Sequence, residues 1–150
     1  MSTKKKPHPL LAELRSVLSG DIPRETVQIG KFEFVLEAST PEGEDWANSQ
    51  TSGESIAAAL LSTKLPSVAI SLQSINSIPV EQLFEPADDI DRSLRESLLR
   101  NPREMRLWRW AAIKDWLQTE GTTALIDELY RVYGNLQKRQ REALKELPSF

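Results

Sequence analysis

Between Thr26 and Ala38 apolar residues recur at every second position. Val27 and Ile29 flank Gln28, and Phe32, Phe34 and Leu36 alternate with Glu33 and Val35. Gly30-Lys31, in between, fits a two-residue hairpin turn with glycine first. A turn of that length fixes the register, opposing Ile29 to Phe32 and Val27 to Phe34. All four apolar side chains then fall on one face, so turn and pattern demand the same hairpin. No other stretch of the chain is constrained as tightly.

Further on, Val68, Ile70 and Leu72 alternate with Ala69, Ser71 and Gln73, which predicts another strand. Ile75-Asn76-Ser77-Ile78-Pro79-Val80 reads as a turn into a short edge strand, because Pro79 cannot donate to a ladder. The rest carries helical signals. Leu10, Leu11, Leu14, Val17 and Leu18 recur at helical spacing between Pro9 and Gly20. Thr40-Pro41 looks like a cap and first turn, with Glu42, Glu44 and Asp45 near the positive end of the helix dipole. After a polar interruption at Asn48 to Gly53, a second helical piece runs from Glu54 to about Thr63. Pro86 with Asp88, Asp89 and Asp91 opens a helix carrying Ile90, Leu94, Leu98 and Leu99, and Asn101-Pro102 breaks it. Residues 103 to 118 form a tryptophan-rich helix stopped near Gly121, and Thr122 or Thr123 caps a long last helix.

These elements predict an α+β fold. A small antiparallel sheet, from the hairpin 26–38 plus strands in 67–80, is packed by helices, and the C-terminal half is mostly helical. Residues 1–8, with Lys4, Lys5 and Lys6, read as a disordered basic tail. Residues 9–150 read as a single domain with a long C-terminal helix.

Composition removes several function classes. There is no cysteine, so disulfides and thiolate metal sites are excluded. The one histidine, His8, sits between prolines beside three lysines, which argues against a histidine base or a histidine-rich metal site. The six glycines are scattered and form no phosphate-binding loop. Asp88, Asp89 and Asp91 lack the glycine and distal glutamate of a calcium loop and suit a helix start. No catalytic residue, cofactor or metal ligand is therefore assigned, and the chain is read as a non-enzyme. The longest clean apolar run, Ile56 to Leu61, falls far short of the roughly 20 residues a membrane helix needs. Glu13 and Arg15 interrupt the apolar stretch that follows the N-terminal lysines, so no signal peptide is assigned. The reading is a cytoplasmic protein with no membrane partner.

Net charge is −3, but charge is segregated. Residues 20 to 63 carry eight acids against Arg24 and Lys31. Residues 92 to 109 carry six arginines against Glu96 and Glu104. The blocks are solvated faces of opposite sign, or they pair with each other inside the fold or along an oligomer.

Two helices carry candidate binding residues. Three of the four tryptophans lie between Trp108 and Trp116, with Arg103, Arg106 and Arg109 threaded among them. At about 100° per residue, Met105, Ala112 and Trp116 share a face with Ile113 and Leu117 beside it. The stretch fits a buried helix with arginine stems along apolar surface. It also fits a docking patch, since Trp and Arg are the types enriched at interface hot spots, or a base-stacking surface. The chain's acidity argues against nucleic acid. Trp110, Ile113, Trp116 and Leu117 are expected in the core, and Trp108, Arg106 and Arg109 are the candidates for partner contact. The last helix carries a narrow stripe of Leu125, Leu129, Val132 and Leu136, spaced like a coiled-coil seam, flanked by Tyr130 and Tyr133. A helix that long suits a partner or a second copy.

Three stretches in order carry a resemblance: VQIGKFEFVLEASTPEGED, SVAISLQSINSIPV and LIDELYRVYGNLQKRQREAL. Together, over about residues 26 to 144, the chain resembles the small tail assembly chaperones of tailed bacteriophages and related tail or baseplate assembly proteins. Many of those have Asn-Gly where this chain has Asn76-Ser77. The resemblance implies a non-enzymatic protein of the host cytoplasm that binds tail-tube, tape-measure or baseplate subunits until they polymerise. The alternative it leaves open is a permanent structural subunit of the virion. It assigns no functional residue.

Overall fold

The computed structural model describes residues 8–10, 22–50, 56–86 and 91–145. The basic tail and nearly all of the helix expected at 9 to 20 lie outside them.

The hairpin forms as its pattern requires. β1 (Arg24–Ile29) pairs antiparallel with β2 (Phe32–Glu37), with Ile29 opposite Phe32 and Val27 opposite Phe34. Gly30 sits at φ +60°, the left-handed region that glycine adopts without penalty, and this sets the primed turn that matches strand twist. Phe34 and Leu36 are buried, while Phe32, near the tip, stays 53% exposed. β3 (Leu72–Ile75) adds to β2, with an irregularity between Val35 and Leu36, and β4 (Ile78–Pro79) closes the order β1-β2-β3-β4. Asn76 and Ser77 both take positive φ, 51° and 66°, as a type I′ turn requires.

The helices follow their caps. Thr40 Oγ1 accepts from the Gly43 amide at 3.1 Å and starts α1 (Pro41–Ser49). α2 (Ile56–Ser71) runs into β3, and the short α3 (Val80–Leu83) follows β4. Asp91 caps α4 (Arg92–Arg100), Asn101 caps α5 (Pro102–Glu120), and Thr122 caps α6 (Thr123–Lys145).

One expectation is overturned. Residues 67 to 71 are the end of α2, not a strand; the strand begins only at Leu72. Ser67, Val68, Ala69, Ile70 and Ser71 are all buried. Alternation reports an inside and an outside face, and this segment has no outside. Its small residues serve close packing instead. α1 approaches so tightly that a Cβ on Gly43 would lie 3.3 Å from the Ile70 Cβ. The Ser71 hydroxyl donates to the Val68 carbonyl at 3.0 Å and closes the helix end.

α2 is the centre of the molecule, packed against α1, α5 and α6. α6 in turn covers β1 and β2. The core joins Phe34 and Leu36 of the sheet, Leu65, Val68 and Ala69 of α2, Ile113 and Leu117 of α5, and Ile126, Leu129, Val132 and Leu136 of α6. The leucine stripe of the last helix thus packs against the chain's own sheet and α2.

Candidate protein-binding site

α5 divides its residues much as its periodicity predicts. Ile113 and Leu117 are fully buried. Trp116 packs on the core and meets Phe84 edge-on, with ring centroids 5.7 Å apart. Trp110 lies 5.7 Å from Trp46 of α1. Trp108 is half-buried and has no ring partner among the described residues.

The arginines have separate fates. Arg106 grips Glu42 of α1 with both ends of its guanidinium, Nε to Oε1 at 2.7 Å and Nη2 to Oε2 at 3.2 Å. Arg103 approaches the same carboxylate at 3.8 Å. The Arg106 guanidinium, chiefly through its hydrogen bond, holds the Glu42 carboxyl below its ordinary value of 4.5. So the basic block of α5 pairs in part with the acidic block of α1. Arg109 buries its Nε, which meets no acceptor among the described residues.

Tyr130 and Tyr133 face inward. Their rings stack at 5.9 Å, and Lys64 of α2 sits 5.9 Å above Tyr130 while bonding Asp127 at 2.8 Å. Burial raises the Tyr133 phenol above its ordinary 10.0. The Ser39 hydroxyl donates to Glu44 at 2.9 Å, and its amide donates to Gln137 Oε1 at 2.9 Å. The five residues singled out as partner contacts therefore do not form one surface. Arg106 is turned to α1, the tyrosines brace α6 against α2, and α2 lies between α5 and α6.

A surface the periodicity did not single out lies on α4. This helix buries only Leu98 and touches α5. Leu94 remains 46% exposed and Leu99 66% exposed, between Arg92 and Arg100. The sequence places these leucines on a helix without saying which are covered, because periodicity shows that a face is apolar but not whether anything covers it. Here one leucine found cover and two did not.

Among the described residues no group of three His, Cys, Asp or Glu side chains could hold a metal ion. No described helix is long and apolar enough to cross a membrane. No protein-family model, curated protein or solved structure matches the chain.

Proposed function

We propose that the chain is an assembly factor that acts by holding another protein, with α4 and the half-buried Trp108 of α5 as its contact residues. The observation that carries this is the exposure of Leu94 and Leu99 on a helix ringed by arginines. Large apolar side chains left in water between charges suit a partner that buries them and meets the charges. The partner this face fits offers an apolar pocket or groove edged by carboxylates. Among such partners, the resemblance to phage tail assembly proteins makes tail-tube, tape-measure and baseplate subunits the first to test.

A nucleic-acid reading draws less support. It needs Arg106 free for phosphate, and Arg106 is engaged by Glu42.

The test is a nuclease-treated pull-down from the native lysate, run in parallel with the chain and with its Leu94→Ser/Leu99→Ser double variant. The reading expects tail proteins on the native chain and a loss of at least about tenfold on the variant. Equal capture by both moves the contact elsewhere on the molecule, and an absence of tail proteins from either removes the phage assignment. Absence of the chain from purified particles separates an assembly factor from a structural subunit.

A further inference from the structure

The two edges of the sheet are treated differently. β4 is two residues long and ends in Pro79, which has no N–H to offer, so that edge is blunted. β1 is six residues long and contains no proline. Ile29 and Phe32 flank the two-residue turn and so form a hydrogen-bonded pair, as do Val27–Phe34 and Glu25–Leu36 by alternation. The phase is corroborated on β2, where Glu33 points to β3: its carbonyl accepts from Asn76 N–H at 2.7 Å and its amide donates to Asn76 Oδ1 at 2.7 Å. On β1, therefore, the N–H and C=O of Arg24, Thr26 and Gln28 face away from β2. They meet no partner among the described residues.

A cleft of about 340 Å³ opens below this edge, between Glu25 and Val27 of β1 and the overhanging face of α6. Val132 lines it with Arg131, Lys138 and Glu142. Arg139 closes one part by bonding Glu25 at 2.9 Å, and Arg131 is held by Glu128. Lys138 has no acidic partner among the described residues.

We infer that the free edge of β1 pairs antiparallel with β1 of a second copy of this chain, about a two-fold axis through Thr26. The register follows from the backbone. Only a pairing of even-numbered residues with even-numbered ones lets outward groups meet outward groups while the core faces stay on one side. Centring it on Thr26 opposes Thr26 to Thr26 and Arg24 to Gln28, which satisfies every outward group of Arg24, Thr26 and Gln28. The inward side chains then match the cleft. Glu25 of the second copy enters beside Val27, within the charge of Lys138, and Val27 of the second copy comes beside Glu25. An extended segment of another protein would gain the same backbone bonds, but only a second copy brings a glutamate and a valine to those positions by symmetry. This pairing is independent of the α4 contact proposed above.

The chain has no cysteine, so a single introduced one gives a clean readout. Opposed residues of a hydrogen-bonded pair lie about 5.5 Å apart at Cα, within disulfide range. The full-length protein is expected to be a dimer by light scattering across a dilution series. Thr26→Cys should form a disulfide dimer under mild oxidation, and Lys31→Cys, in the turn, should not. Thr26→Pro should raise the dimer dissociation constant by about tenfold or more while keeping the far-ultraviolet circular dichroism. A dimer in which Thr26→Cys fails to cross-link uses another surface and overturns the inference. A monomer overturns it too: if the thiol of the Thr26→Cys variant resists labelling there, the chain's own N-terminal segment covers the edge, and if it labels freely, the edge is left to a strand from another protein.

Discussion

Arg106 of α5 reaches Glu42 of α1, 64 residues earlier in sequence, and holds its carboxylate at two points. The pair joins the basic and acidic blocks of the chain at an exposed seam. Because the folded carboxyl sits below its ordinary 4.5, the pair stabilises the fold fully above that value, and the contribution is lost as pH falls through the lower folded value. Glu42→Gln should therefore flatten the acid limb of thermal unfolding below about pH 4.5. The change at neutral pH should be small, and it should vanish in about 1 M salt, since exposed ion pairs are screened.

Tyr133 gives the opposite pH dependence. Its folded phenol holds its proton more tightly than the unfolded one, so stability falls as pH rises above about 10. Tyr133→Phe should remove that alkaline fall. Its effect at neutral pH, where both forms of the side chain are uncharged, should be smaller than its effect above pH 10. Urea unfolding at neutral and alkaline pH checks both.

Gly43 marks a close approach of α1 to α2. A side chain there meets the Ile70 Cβ and the capping Thr40 Oγ1, each at 3.3 Å. Gly43→Val should destabilise by about 2 kcal/mol through overpacking, although valine is a better helix former than glycine. A variant as stable as the native chain would show that α1 can shift away.

The neighbouring tryptophan and isoleucine of α5 should separate core from contact. Ile113→Ala should cost roughly 2–5 kcal/mol, the usual range for emptying a fully buried site. Trp108→Ala should leave the unfolding midpoint much closer to native and weaken partner capture. If the two cost the same, Trp108 is core and the contact rests on α4 alone.

Arg109 should behave unlike Arg106. Its buried Nε meets no acceptor among the described residues, so Arg109→Met removes a desolvated donor and keeps the stem's packing. Stability should hold or rise by about 1 kcal/mol. A marked loss would reveal an acceptor for that nitrogen.

What the sequence determined was local. The Gly30-Lys31 turn, the alternation around it, the cap at Thr40, the break at Asn101-Pro102 and a threonine cap on the last helix, at Thr122, are all seen where the residues place them, because each depends on residues within a few positions. The α+β class followed from them. Where neighbours distant in sequence decide, the residues alone were mute or misleading. Val68, Ala69, Ile70 and Ser71 alternate like a strand but are enclosed on every side, and enclosure erases the distinction that alternation encodes. Leu94 and Leu98 are four residues apart on α4, yet Leu98 is buried and Leu94 stays exposed. Arg106 and Arg109 lie three residues apart on one helix, but among the described residues only Arg106 is paired with a carboxylate. Periodicity shows which residues share a side of an element; what stands opposite that side is set by the tertiary structure, and with it which apolar and charged groups remain for a partner.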